Sequence, residues 1–339
     1  MSVVEPQFPA QATAAMESVV LPQSRSIFGD AVVRLLSKPL SLICVVITAA
    51  YLIVGILGFT PLFDRKINEQ FSVDKTTTPP SLYETHADGS RTICPACWLG
   101  LDIEGRSVLW RTMYGARIAL LIMVFASALS VGIGAILGLL AGYFGGWVDD
   151  AITWLFSTVN SIPWLLLVIA VAYILQNRQA SEQAMADLRI GKQFFAGTGI
   201  VILSLGLTDW VGLCRLLRGE VIKLRDMDFV VAGRAIGLGH TRIMLKHILP
   251  NTVHLIIITL SLGAVGYVQA EVVLSFLGLG VTSLPSWGRM IDDSKLELLR
   301  GDWWEVTAAT VAILVISLAL TLLGDALRDA LDPKLHGTK

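Results

Sequence analysis

The sequence predicts an all-α membrane protein with six transmembrane helices, and three observations carry this. Of 339 residues, 54% are hydrophobic and only 16% are charged. Mean hydropathy is +0.67, a composition that soluble globular domains do not have. Six apolar stretches recur along the chain, each long enough to cross a hydrocarbon core ~30 Å thick with roughly 20 helical residues. The formal net charge is -1, so no global basic field points to nucleic acid. The motifs G-x-x-x-x-G-K-S/T, H-E-x-x-H and G-x-S-x-G are missing, which removes the usual ATPase, zinc-protease and hydrolase signatures.

Residues 1–38 are polar and mixed, and read as a tail with a short amphipathic end from Ile27 to Leu36. The tail is too long and too weakly basic to be the leading region of a cleaved signal peptide. The first span runs from Leu40 to Phe63, the second from Ile118 to Val148 and the third from Ile152 to Gln176. The fourth covers Phe194 to Cys214 and contains Asp209; the fifth runs from Thr252 to Gly280 and the sixth from Val306 to Leu323. In the second span Ser130, Gly134, Gly138, Gly142 and Gly146 recur every fourth residue. Such a stripe lets two helix backbones approach closely in lipid, so it predicts a helix–helix interface. Three divisions follow: the tail (1–38), the first span with the loop after it (39–111), and a five-helix core (112–335).

The connection between spans four and five (215–250) holds Arg215, Arg218, Lys223, Arg225, Arg234, Arg242 and Lys246. Connections this basic stay in the cytoplasm, and six spans then place both termini there. Within it Phe229, Ala232, Ala235, Ile236, Ile243 and Leu245 recur at roughly helical spacing, with Arg234, Arg242 and Lys246 as the polar side. Gly237 and Gly239 interrupt the pattern and predict helix, turn, helix. Pro250 falls near the start of the next apolar run, where a missing N–H costs least.

The loop from Asp64 to Arg111 contains Cys94-Pro95-Ala96-Cys97. A local disulfide, a metal site with His86 or Asp88, and a redox pair are the three readings open to it. Metal binding lacks a convincing set of four ligands, and the redox reading lacks a thioredoxin-like context. Asp102 and Arg106 are placed to pair within a turn-rich segment. Cys44 and Cys214 lie in or beside spans, as inert core residues do. Asp209 and Glu271 are carboxylates inside apolar spans, each open to a pore-lining or an architectural reading. His240, His247 and His254 recur every seven residues, but a break at Pro250 and the glycines argues against a shared metal. The rival readings, a stand-alone secondary transporter or channel subunit and an intramembrane enzyme or receptor, call for features this sequence does not display. The first would show inverted repeats around midplane ligands, the second paired catalytic residues at membrane depth.

The run from Val231 to Pro250 resembles the EAA loop of ABC importer permeases, with Val231-Ala232-Gly233 at the leading positions, Gly237 at the glycine and Leu249-Pro250 at the end. Val231 and Gly233 replace the literal Glu and Ala. Leu99 to Arg111 followed by Gly115 and Arg117 is similar to the segment preceding the second span in C-type subunits of oligopeptide, dipeptide and nickel permeases. Gly142-Tyr143-Phe144-Gly145-Gly146, Ser161-Ile162-Pro163, Trp210, Arg215 to Gly219, Leu274 to Gly280, Pro285 to Gly288 and Gly324 to Pro333 extend the likeness. The resemblance implies a type I (MetI-like) permease bundle in a bacterial inner membrane, one of two pore subunits of an importer for peptides or similar solutes. It implies a second permease subunit, two ABC ATPase subunits that bind ATP and Mg, and a periplasmic or lipid-anchored binding protein. No cofactor and no catalytic residue belongs to this chain on that reading. Val231, Ala232, Gly233, Arg234 and Gly237 would contact the ATPase, while Leu249 and Pro250 set the exit into the fifth span.

Overall fold

The computed structural model describes residues 37–69, 78–85, 91–177, 195–281 and 284–331. The amphipathic tail end, His86, Asp88, Phe194, the polar segment 178–192 and the closing Asp332-Pro333 lie outside the described residues. Helix α1 (Pro39–Leu57) and the short α2 (Pro61–Lys66) each begin with proline, whose fixed φ suits a first turn and whose lack of an N–H costs nothing there. A small antiparallel ladder follows, β1 (Tyr83–Thr85) on β2 (Arg91–Ile93). The bundle proper comprises α3 (Val108–Phe144), α4 (Gly146–Asn160), α5 (Trp164–Asn177), α6 (Ile200–Thr208) and α7 (Trp210–Leu224). After α8 (Asp228–Ala235) and α9 (His240–Ile243) come the long α10 (Leu249–Phe276), α11 (Trp287–Asp293), α12 (Lys295–Arg300) and α13 (Trp304–Leu331).

Among the described residues, five unbroken segments are long and apolar enough to cross a membrane: 39–57, 108–144, 197–224, 240–276 and 304–330. The expected third span is instead a bent pair, α4 and α5 meeting at 91°. Its break falls at Ser161-Ile162-Pro163, because proline disfavours helical geometry in the residue before it and removes a donor. The pair still traverses the bundle. Asp149 in α4 bonds Arg218 near the far end of α7, Phe156 packs with Trp210, Val211 and Cys214, and Val168 and Ala172 of α5 pack with Val201 and Leu205.

Span boundaries also shift from those read in the sequence. Helix α3 starts ten residues before Ile118 and stops at Phe144, because Gly145 takes φ +66°. The small-residue stripe therefore ends at Gly142; Gly146 opens α4, where a Cβ would meet nothing within 4 Å. The stripe packs on α7. A methyl group on Gly138 would sit 2.8 Å from the Cys214 carbonyl oxygen, and one on Gly142 2.6 Å from Cβ of Val221. Backbone approach is thus enforced by absent side chains.

Pro250 does not break the helix it enters. Residues Met244–Ile248 form a π-turn that joins α9 to α10, and the widened turn accommodates the ring and the missing donor. His240, His247 and His254 consequently share one continuous helical segment, contrary to the expected interruption. Among the described residues no cluster of three or more His, Cys, Asp or Glu could hold a metal ion.

Candidate functional site

The two ends of the bundle are built differently. One end gathers the C-termini of α3 and α7, all of α8, and the start of the α9–α10 helix; its connection is the basic one. Here Leu139, Tyr143, Val221, Leu224, Val230, Ile243, Met244 and Ile248 form a buried apolar cluster. The face of α8 that enters this cluster is Val230 and Gly233, while Val231, Ala232, Arg234, Ala235 and Ile236 stay exposed. The periodicity in the sequence thus had its apolar stripe only partly turned inward. Ile243 is buried, but Phe229, Ile236 and Leu245 face out, Ile236 with 76% of its surface accessible. Exposed large apolar residues on a helix that lies outside the spans, such as Phe229 and Ile236 on α8 and its cap, mark a contact surface.

Helix α8 stops at Gly237. The Leu238 N–H donates to the Gly233 carbonyl at 3.1 Å and the Gly237 N–H to the Arg234 carbonyl at 3.0 Å, the paired bonds of a Schellman ending. Gly237 has φ +79°, a conformation that costs a side-chain-bearing residue strain. A Cβ on Gly233 would meet only Leu238 at 3.4 Å and Ile243 at 3.9 Å, so the alanine of the literal motif fits this site. Arg234 lies with its guanidinium 5.1 Å from the Tyr143 ring centroid, and the Tyr143 hydroxyl pairs with Nδ1 of His240 at 2.9 Å. Tyr143 therefore clamps both sides of the turn. Arg225 donates to the Gly142 carbonyl at 3.1 Å, and Arg218 holds Asp149 through two bonds, one of 2.7 Å from Nη2. Leu249 is half-buried beside the same cluster and Pro250 is exposed. Tyr143, Arg218 and Asp149 were not singled out as site residues in the sequence; Tyr143 and Arg218 stood within runs that carry the resemblance, and Asp149 did not.

The opposite end is acidic and closed. The Asp102 carboxylate accepts the Glu104 and Arg106 N–H groups at 2.9 and 2.8 Å and Arg106 Nε at 2.8 Å, the pairing the sequence suggested. It also takes a bond from the buried Arg111. Arg111 reaches Glu305 at 3.0 Å and Asp293 at 3.1 Å. Glu297 accepts the Ile103 N–H at 3.2 Å, and burial pushes its carboxyl above the usual carboxylate range while that N–H pulls it back. Trp304 donates to the Leu101 carbonyl at 2.9 Å, and Trp287 fills the space that Gly115 leaves beside α3. Cys94 and Cys97 form a disulfide with Cα atoms 5.4 Å apart, buried near Leu101 and Trp110. Cys44 and Cys214 are free and buried.

The two membrane-embedded carboxylates differ. Glu271 is 1% exposed; its Oε1 accepts the Ser275 hydroxyl at 2.7 Å, and Ser275 in turn accepts the Val281 N–H at 3.1 Å. It secures the end of α10. Asp209, at the junction of α6 and α7, is half-buried and, among the described residues, accepts one bond, from the Tyr267 hydroxyl at 2.7 Å. Arg215, a conceivable partner, lies over the Phe156 ring instead. A carboxylate at this depth costs ~2.5–3.5 kcal/mol on insertion scales, so its open side belongs against protein or water.

Comparison with known proteins agrees with the sequence resemblance. Residues 134–337 match the family model of the binding-protein-dependent transport system inner membrane component. A dipeptide transport system permease protein of Bacillus subtilis (strain 168) is 36% identical over 240 residues, 70% of this chain and 69% of that protein. An oligopeptide transport system permease protein of the same organism is 30% identical over 329 residues, 97% of this chain and 96% of the relative. A glutathione transport system permease protein of Pectobacterium atrosepticum is 32% identical over 241 residues, 71% of this chain and 73% of that protein. A chain of the MetNI methionine ABC transporter in an inward-facing conformation overlays 66% of this chain and 98% of its own at 14% identity and a TM-score of 0.47.

Proposed function

This chain belongs to the family of binding-protein-dependent transport system inner membrane components, and from that premise we propose that α8 is the handle by which separate ATPase subunits drive the bundle. The chain is the non-catalytic, pore-forming permease subunit of an ABC importer. On this proposal the basic end faces the cytoplasm of a bacterial inner membrane, supported by the density of Arg and Lys in 215–250. Both termini then lie on that side. Two ATPase subunits, which bind ATP and Mg, dock at α8; a second permease subunit completes the pore; a periplasmic or lipid-anchored binding protein delivers substrate to the acidic end. Peptides are the proposed substrate class, supported by the names of the relatives reported above.

The observation that carries this reading is the exposed apolar surface of Phe229, Val231, Ala232 and Ile236 on α8 and its cap, with Leu245 exposed on the turn into α10, while the other face of α8 is locked to α3, α7 and the start of α10. A push on such a handle moves three spans together, because packed cores shift as rigid bodies rather than deforming locally. Val231, Ala232 and Ile236 make the contact; Gly233 and Gly237 shape the helix and its ending. Arg234 stacks back onto Tyr143 and fixes the angle of α8. Leu249 and Pro250 set the exit into α10.

Replacing Ile236 with Asp in the assembled transporter tests the assignment. ATP-driven uptake should fall by about tenfold or more, the size of loss expected for an interface hot spot, while the amount of permease in the membrane is maintained. Wild-type uptake by that variant would remove α8 from the coupling path.

A further inference from the structure

Resting on the peptide reading above, we propose that Asp209 is the site in the translocation path that binds the terminal ammonium group of the passing peptide. Asp209 opens α7 with Tyr267 of α10 against it, on a face that is open further along the helix. At intervals of three and four residues that face continues through Gly212, Leu216 and Gly219. A Cβ on Gly212 or Gly219 would meet nothing within 4 Å, and Leu216 is 45% exposed. A carboxylate at this depth is costly against hydrocarbon, which argues for protein or water rather than lipid beside this face at Asp209. The face therefore borders the aqueous route or the second permease.

The carboxylate is also prepared for a cation it does not have. Its Oδ2 is fixed by the Tyr267 hydroxyl at 2.7 Å. Among the described residues, no donor reaches Oδ1 and no Lys, Arg or His lies in salt-bridge range of either oxygen. Glu271, one helix away, shows the other solution: it is shut in and satisfied by Ser275. A peptide carries one positive charge at a fixed place whatever its side chains, so one oriented carboxylate flanked by glycines recognises the class without reading the sequence. An ammonium group donates three hydrogen bonds from a compact centre, which suits a single open oxygen one turn from Gly212, where no side chain crowds the approach. Asp209 acts by binding alone; no bond is made or broken.

The test uses the complete transporter with its binding protein in proteoliposomes. Radiolabelled tri-alanine and N-acetyl-tri-alanine are each supplied at concentrations that saturate the binding protein, as established by direct titration. Wild-type turnover should favour the free amine by about tenfold, the order a charge-assisted hydrogen bond supplies. In Asp209→Asn this preference should collapse towards one, through loss of tri-alanine turnover. Asp209→Glu should recover most of it. Tyr267→Phe, which removes only the orienting hydroxyl, should lower it by about threefold, and serves if Asp209→Asn fails to assemble. A preference unchanged in Asp209→Asn, or an equal fall for both peptides, would overturn the assignment; the second result would mean that Asp209 pairs with the other permease. Wild-type proteoliposomes that import neither peptide would instead refute the peptide reading, and the ammonium ligand with it.

Discussion

The basic and acidic ends of the bundle spend their side chains in opposite ways. At the acidic end the polar groups turn inward: Asp102, Arg111, Glu297 and Glu305 are nearly or fully buried and bonded across three segments. At the basic end the apolar groups turn outward, with Phe229, Val231 and Ile236 exposed on a helix whose polar Arg234 folds back onto Tyr143. A buried ionic network is costly to form and costlier to break on one side, so it fixes geometry. An exposed apolar patch gains by being covered. The contrast separates an end that is held from an end that is grasped.

The largest expected effect breaks the held end. Replacing Arg111 with Met leaves Asp102, Glu305 and Asp293 without their shared cation, and removing one side of such a network costs about 3–5 kcal/mol. The variant should lose thermal stability in detergent or fail to accumulate, whereas the Ile236 variant should not. Next is Gly237→Val, which forces a β-branched residue to φ +79° at a cost of about 1–3 kcal/mol. The damage should be confined to the grasped end: normal membrane level, reduced uptake per ATP hydrolysed, measured in proteoliposomes.

A smaller effect sharpens the comparison through pH. Burial raises the Glu297 carboxyl above its ordinary value. Its contribution to stability is therefore complete below the unfolded pKa and is lost as pH rises through the folded one. Melting curves of the purified protein should show the acidic end weakening over that interval, and Glu297→Gln should flatten this slope while leaving α8 contacts unchanged. Tyr143→Phe deletes the bond to His240 and should cost about 0.5–1.5 kcal/mol, read as faster hydrogen exchange in α8 and its turn. The smallest change, Gly233→Ala, should rigidify α8 by up to about 1 kcal/mol, because the added methyl meets only ordinary contacts.

The grasped end was largely legible in the sequence and the held end largely was not. Helix, turn and helix around Gly237 follow from local glycines and periodicity, and the Gly134–Gly138–Gly142 stripe from its four-residue spacing. These features depend on neighbours in the chain. Asp102 with Arg106 is likewise local. Arg111 meets its other partners 182 and 194 positions away, and no pattern in one sequence joins such residues. The bend at Ser161 to Pro163 was missed because hydropathy counts apolar residues and ignores the donor a proline lacks. Pro250 misled in the opposite direction, since a π-turn absorbed it. The outward turn of Ile236 was invisible because helical periodicity gives the angle between side chains and not the face that is buried.

The central claim is that α8 sits in the cytoplasm under a nucleotide-hydrolysing partner. A cysteine placed at Ile236 reads this directly, since Cys44 and Cys214 are buried and Cys94 and Cys97 are joined. The account predicts that a membrane-impermeant thiol reagent leaves this position unlabelled in intact cells. It should label the position in inverted vesicles stripped of the ATPase, and lose access when the ATPase rebinds. Labelling from outside intact cells, or equal labelling with and without the ATPase, would contradict it.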